Sequence, residues 1–352
     1  MKLFLHIGTE KTGSSFLQTV SARNRDLLQK CKIFYPKAGN RERDMIQGRI
    51  SPGNGYPIFK GIKDGKFNGV HKFLSNQLKF ALVEGCDSVL ISNENIVDLA
   101  LQDEGISKLN NVILEAGYQS VQWLLIIRDP LDQAISLFKH RAKSGQFSSP
   151  EKWVEESYKT MNAIQNFYSI GKDISLDVVY RKYARDSSKM IKLFFNDWLN
   201  VYNMPIHANE VVNPSLSFSE LFFLKTQFKI DPYLVPYYYS VFLNIHQDRK
   251  PNDIELDNLI KKAFSYRLQK YNPFIEELNA HMHDNEQIQF VNEVHHNIDL
   301  GHFNYNMVFS EEQILLLLLE QRKQYSLYRQ SLNTFFAFRD FIKMALIKFL
   351  KS

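Results

Sequence analysis

The sequence predicts an α/β fold, a doubly wound and mainly parallel sheet followed by a helical C-terminal extension. Three observations predict it. Short apolar runs alternate with longer helical patterns through roughly the first half of the 352 residues. Runs such as Trp123-Leu124-Leu125-Ile126-Ile127 are continuous rather than alternating, as strands covered on both faces are. The first run passes straight into a glycine loop and a helix start, the opening unit of such sheets.

Five runs rich in β-branched or aromatic residues are candidate strands: Leu3 to Ile7, Lys32 to Tyr35, Ser88 to Ser92, Val121 to Ile127 and Ile174 to Tyr180. The glycine-rich, charged segment from Lys37 to Gly69 has no clear period and reads as a long loop over the site. From about Pro214 the pattern is helical. Capping-box spacing marks two helix starts, Ser217 with Glu220 and Ser310 with Gln313, the second opening a helix through Ile314 to Leu319. The charged stretch His246 to Asp257 reads as a connection. These elements divide the chain into a core, residues 1–220, and a mostly helical region, residues 221–352, which is either a separate unit or part of the same domain.

Composition narrows the class. A formal net charge of +5 is small for a nucleic-acid binder and suits a cleft that receives anionic ligands. Cys31 and Cys86 lie far apart without CxxC spacing, which excludes a disulfide framework and points to a reducing compartment. There is no His-x-x-x-His pair and no clustered carboxylate loop, so no metal site is expected. The apolar start of the chain is too short for a secretion signal, and no run reaches the roughly 18 apolar residues of a membrane span. A cytoplasmic protein is the expectation.

The chemistry-bearing segments follow two of the strands. The first strand runs into Gly8-Thr9-Glu10-Lys11-Thr12-Gly13-Ser14-Ser15 and then a helix. Such a loop turns backbone N–H groups inward, and the helix dipole adds positive potential, so a phosphate can be held there. In the nucleotide-triphosphatase loop a lysine directly follows the second glycine; here Ser14 stands there and Lys11 lies two residues before Gly13. After the fourth strand comes Arg128-Asp129-Pro130, with Ser136 eight residues beyond the arginine. An arginine at the C-terminal end of a strand faces the ligand crevice of an open α/β sheet.

The segment Ile7-Gly8-Thr9-Glu10-Lys11-Thr12-Gly13-Ser14-Ser15-Phe16-Leu17-Gln18 resembles the 5′-phosphosulfate loop of the sulfotransferases that use PAPS (3′-phosphoadenosine 5′-phosphosulfate), particularly the bacterial ones. The resemblance implies a phosphate-loop sulfotransferase fold and transfer of a sulfuryl group to a hydroxyl or amine acceptor, without a metal. It implies that Lys11 contacts the oxygen bridging sulfur and phosphorus, and that Thr12, Gly13, Ser14 and Ser15 hold the 5′-phosphate. Arg128 and Ser136 have the spacing of the family's 3′-phosphate pair. Gln133 departs from the pattern, because many bacterial relatives carry a second basic residue there, which implies weaker phosphate binding. Val211-Val212-Asn213-Pro214-Ser215-Leu216-Ser217 resembles an Asn-x-Ser-Leu-Ser element that follows the core in many bacterial members. The likeness covers roughly residues 1–220.

Transfer to an acceptor needs a base. The candidates are Glu94, His6, His71 and His140. Glu94 lies just past the third strand, at the sheet edge that also carries the glycine loop, and the family often has Ser-(Ser/Asn)-Glu there and a glutamate base. His6 lies inside the first strand and reads as a hydrogen-bonded core residue. His140 falls within the helix after the Arg-Asp-Pro turn, whereas His71 follows the glycine-rich segment and competes with Glu94. The resemblance implies a glycan or glycolipid acceptor, and no nucleic acid is expected as partner. The alternatives are a phosphate-loop kinase and a non-catalytic glycan-binding protein on the nucleotide fold. Finally, residues 335–351 place Phe335, Phe338, Phe341, Ile342, Ala345, Leu346 and Phe349 on one half of a helical wheel, with four basic residues on the other. That pattern is read either as a helix packed on the protein or as a peripheral membrane-surface contact.

Overall fold

The computed structural model describes residues 1–49, 51–205, 216–244 and 254–295. Five parallel strands, β1 (Lys2–His6), β2 (Ile33–Phe34), β3 (Ser88–Ser92), β4 (Ser120–Ile127) and β5 (Asp177–Lys182), form one sheet in the order β2-β3-β1-β4-β5. β1 is central and pairs with β3 on one side and β4 on the other. The chain leaves β1 toward one edge, returns through β3 and then crosses to β4. The crevice at the C-terminal ends of β1 and β4 is therefore the switch point at which open α/β sheets bind ligands.

Between and after the strands lie α1 (Ser14–Arg23), α2 (Arg25–Lys30), α3 (Glu42–Ile46), α4 (Tyr56–Lys63), α5 (Phe67–Val83), α6 (Gly105–Glu115), α7 (Pro130–Ala142), α8 (Pro150–Glu156), α9 (Thr160–Asp173) and α10 (Ser187–Ile191). Then come α11 (Phe218–Ile230), α12 (Val235–Asn244), α13 (Ile254–Leu268) and α14 (Asn272–Asn279). The continuous apolar strands are explained by the packing. Phe4, Leu90, Leu124 and Ile126 join Leu17 and Val20 of α1 and Phe194 and Trp198 of a π-helical segment, Lys192–Trp198, in one core. The alternate residues Leu3, Leu5, Val89, Ile91 and Trp123 are equally buried, and the Trp123 ring meets Phe167 of α9 at 5.7 Å. Each such side chain contributes roughly 1.5–3 kcal/mol when removed from water, so both faces must be covered.

The chain divides into two compact units that interleave in sequence. One comprises Met1–Phe138, Ser148–Asn213 and Leu259–Gly301, the other Lys139–Phe147, Pro214–Asn258 and His302–Ser352. Thus α14 and the extended segment after it belong with the sheet rather than with the helices around 220. In the second unit the predicted capping box is present, with Ser217 accepting from the Glu220 N–H and the Glu220 carboxylate accepting from the Ser217 N–H. The rings of Phe223, Tyr238 and Phe242 pack α11 against α12 at 5.1 and 5.4 Å.

Two expectations are corrected. Residues 37–69 are not one long loop: they contain α3 and α4, each too short to display a period, with Met45, Ile58 and Ile62 buried beneath them. The last strand begins at Asp177 rather than Ile174, because Ile174 caps α9 and Ser175 takes a left-handed φ of 53°. The capping box at Ser310, most of the connection from His246, the Val211–Ser215 part of the Asn-x-Ser-Leu-Ser element and the 335–351 helix lie outside the described residues. Among the described residues no helix is long and apolar enough to cross a membrane.

Candidate functional site

The loop after β1 has the backbone its sequence requires. The Ile7 N–H still pairs with the Leu124 carbonyl at 2.9 Å, and the Asn93 N–H pairs with the His6 carbonyl at 3.0 Å, so the loop leaves from a strand fixed on both sides. Lys11 adopts a left-handed φ of 67°. A non-glycine residue there costs on the order of 1 kcal/mol, which persists only where the surroundings enforce it. Gly13, at φ 78°, caps α1 without a side-chain partner for the first-turn N–H groups. Thr12 donates to the Thr9 carbonyl at 2.5 Å, closing the turn internally.

A residue whose role the sequence did not disclose holds this turn. Gln133 of α7 is fully buried, and its amide nitrogen donates to Thr9 Oγ1 at 2.7 Å and to the Glu10 carbonyl at 3.1 Å. Its amide oxygen accepts from the Tyr158 hydroxyl at 2.7 Å. The position read as a lost phosphate ligand is a buttress from behind the loop. A charged side chain in this buried position would carry a desolvation cost unless paired.

Arg128 leaves the end of β4 and reaches the same loop, its Nη1 donating to the Lys11 carbonyl at 3.4 Å, with Nε buried and without a partner among the described residues. Its guanidinium lies 5.3 Å from the centre of the Tyr183 ring. Tyr183 follows β5, and a Cβ on Gly13 would stand 3.3 Å from that same ring. Tyr183 thus walls the crevice, a second position that sequence reasoning missed. The turn carrying Arg128 is fixed by Asp129, whose carboxylate pairs with Lys182 at 2.9 Å and accepts the Gln289 N–H at 2.7 Å. Ser136 is half-buried on α7, one turn beyond Gln133. Ser15 is half-buried in the first turn of α1, while Ser14 is buried and its Oγ has no partner among the described residues.

On the other side of β1, Glu94 opens a 3₁₀ segment after β3, with Asn93 as its cap. The Glu94 carboxylate accepts from the Gln18 amide of α1 at 3.1 Å. Burial pushes its carboxyl above the usual range, while the Gln18 hydrogen bond and the Lys11 charge pull it down and Glu10 opposes them. Lys11 and Glu94 therefore share one electrostatic environment. Gln18 also donates to Ser92 Oγ at 3.2 Å, and Ser92 Oγ lies 2.8 Å from His6 Nδ1. His6 is the buried, hydrogen-bonded strand residue that its position predicts. The segment Ser51 to Gly55 closes over this group: Asn54 accepts the Ser92 N–H at 2.8 Å and donates to the carbonyls of Pro36 and Leu90.

The structure does not bring His71 to this site. It lies on α5, and its Nε2 meets the Glu115 carbonyl at 3.2 Å, at the C-terminal end of α6, which precedes β4. The loop departs from the opposite end of the strands, so His71 is withdrawn as a base. The glycine-rich stretch before it suggested a long loop over the site, but α5 has already begun at Phe67. Among the described residues no group of three His, Cys, Asp or Glu side chains could hold a metal ion.

The site therefore combines a glycine turn at a helix N-terminus, two cationic side chains and a carboxyl whose pKa burial raises. No protein-family model, no curated protein and no solved structure matches the chain.

Proposed function

We propose that the protein is a PAPS-dependent sulfotransferase of the phosphate-loop type, acting on a hydroxyl or amine acceptor of a glycan or glycolipid. The observation that carries the reading is the meeting of three distant sequence segments at one switch point. Arg128 bonds to the Lys11 carbonyl, while Glu94, bonded to Gln18 of the loop's own helix, senses the Lys11 charge. The backbone N–H groups of the loop and of the first turn of α1 would take the 5′-phosphate, and Arg128 with Ser136 the 3′-phosphate. Glu94 takes the acceptor proton as the acceptor atom bonds to sulfur. The bond from sulfur to the bridging oxygen breaks, its electron pair passing to the 5′-phosphate, where Lys11 and the helix N-terminus stabilise the charge. Burial that raises the Glu94 carboxyl makes it a stronger base than an exposed carboxylate. Free thiols at Cys31 and Cys86 suit the cytoplasm, where an acceptor presented at the inner membrane surface would be within reach.

A thermal-shift comparison without magnesium tests the reading. Adenosine 3′,5′-bisphosphate is expected to raise Tm, by the linkage that stabilises any state binding a ligand, and to do so more than adenosine 5′-phosphate. Stabilisation by Mg-ATP alone would instead favour a kinase. Lys11→Ala is expected to bind the bisphosphate within a few-fold of the wild type while losing transfer of labelled sulfate from PAPS.

A further inference from the structure

The polar group beneath the loop has a free end that the proposed chemistry does not use. His6, Ser92 and Gln18 are each no more than 1 % exposed, so every hydrogen in the chain they form can be placed. An ionised Glu94 only accepts, which fixes the Gln18 amide with its nitrogen toward Glu94 and Ser92. Ser92 Oγ then accepts from Gln18 and has one hydrogen to give. If it gives it to His6 Nδ1, the ring proton lies on Nε2, and only that N–H and the Gln18 amide oxygen are left over among these side chains. If His6 Nδ1 donated instead, the Ser92 hydrogen and Nε2 would both be stranded in a buried site. The first arrangement leaves fewer orphans and is the one that buried polar groups adopt.

Nε2 has no partner among the described residues, and neither has Ser14 Oγ, which is 6 % exposed. Both lie at the inner side of the loop. A Cβ placed on Gly8 would stand 2.8 Å from His6 Nε2, 3.1 Å from Thr12 Oγ1 and 3.2 Å from Ser14 Oγ. The glycine thus admits three polar side chains to one point of the turn, at the N-terminus of the ten-residue helix α1. Buried donors without partners, aimed at a helix N-terminus, are groups awaiting an acceptor.

We propose that His6 is an anion-binding residue of this loop: held by Ser92 as the Nε2–H tautomer, it donates, together with the Ser14 hydroxyl, to the phosphate-type group that Gly8 to Gly13 enclose. The proposal rests on the reading of the loop as a phosphate site, and extends it to a strand residue outside the glycine motif. His6 acts as a neutral donor, because burial holds its pKa down to about 3. It adds direction without adding charge, and its other nitrogen is tied through Ser92 and Gln18 to Glu94. The same chain of hydrogen bonds therefore sets both the anion's donor and the carboxylate's orientation.

The test uses the full chain labelled with ¹⁵N-histidine, with inorganic phosphate and adenosine 3′,5′-bisphosphate as probes. The His6 resonances are identified by their loss in His6→Gln. The expected result is a bare Nδ1 and a protonated Nε2 in the free protein, and a downfield move of the Nε2 proton when either probe saturates the loop amides. His6→Gln, which keeps an N–H near the same place, should bind phosphate within about threefold of wild type, whereas His6→Leu should lose about tenfold or more, the worth of one hydrogen bond to a charged group. A protonated Nδ1 would overturn the proposal. So would loop amides that shift while His6 does not, or loop amides that respond to neither probe. If phosphate moves the His6 signal but the bisphosphate binds no more tightly than adenosine 5′-phosphate, the His6 assignment stands and the sulfotransferase reading falls.

Discussion

Acidification should unfold this protein partly through His6, and the size of the effect follows from its burial. The ring lies in the core, edge-on to Phe194 at 5.2 Å between centroids, and its folded pKa is held down to about 3 by desolvation. In the unfolded chain it titrates near 6.5. Between those values the unfolded state binds one more proton than the folded state. Stability is therefore fully present above about pH 6.5 and is lost as pH falls toward 3, at up to about 1.4 kcal/mol per pH unit. From pH 6.5 to 4.5 the accumulated loss is about 2 kcal/mol. Glu94 acts with the opposite sign, since a carboxyl raised by burial costs less stability once protonated. His6→Asn removes the first term only, keeping an acceptor for Ser92 and never titrating. It will lower stability at every pH by removing a buried ring, so the measurement is the slope. Urea midpoints followed by tryptophan fluorescence at pH 4.5, 5.5, 6.5 and 7.5 would give both curves, and the other nine histidines of the ten cancel in the comparison. The variant should be flatter by about 2 kcal/mol over the acid interval. Parallel curves would show that His6 is not held neutral in the folded core.

Two further substitutions probe the supports of the site. Gly53→Ala would force a side chain into a φ of 75°, colliding with the Ser92 carbonyl and standing 2.5 Å from the Gln18 amide. It should cost about 1–3 kcal/mol in denaturant unfolding, and an unchanged midpoint would mean that the 51–55 segment is not held against β3. Gln133→Leu should cost about 1–3 kcal/mol by stranding the buried Tyr158 hydroxyl and freeing Thr9 and Glu10. Because Gln133 buttresses the loop, the variant should also weaken phosphate binding measured by calorimetry. Full affinity in a destabilised variant would separate the buttress from the site.

What could be read from the sequence was what repeats locally. Runs such as Ser88 to Ser92 and Val121 to Ile127 announce buried parallel strands because packing on both faces demands apolar side chains at every position. Gly8 and Gly13 are legible because the chain must turn sharply between strand and helix, and Arg128 because a cation directly after an apolar strand has one edge of the sheet to occupy. Glu94 was legible for the same reason. His71 was misplaced by the opposite route: nearness to glycines in sequence suggested a loop, whereas α5 is set by its buried positions Val70 and Leu74. α3 and α4 escaped notice because one or two turns do not establish a period.

The residues that organise the site were illegible for a common physical reason. Gln18, Asn54 and Gln133 are neutral amides, and each joins segments far apart in sequence: Gln18 to Ser92 and Glu94, Asn54 to Leu90 and Ser92, Gln133 to Thr9, Glu10 and Tyr158. An amide offers a donor and an acceptor at one point, so it can replace the missing partner of a backbone or hydroxyl group where no strand or helix continues. Its position on the chain follows no period, because it is set by the gap that it fills. The loop shows what this achieves. Lys11 is held in a left-handed conformation between a closed Thr9–Thr12 turn and the Arg128 guanidinium, and neither glycine imposes that; the Gln133 amide, clasping Thr9 and Glu10 from behind, does. The glycines permit the cradle and the amides choose its shape, so a chain that kept Gly8, Lys11 and Gly13 but lost Gln133 would keep the motif without the geometry on which the proposed chemistry depends.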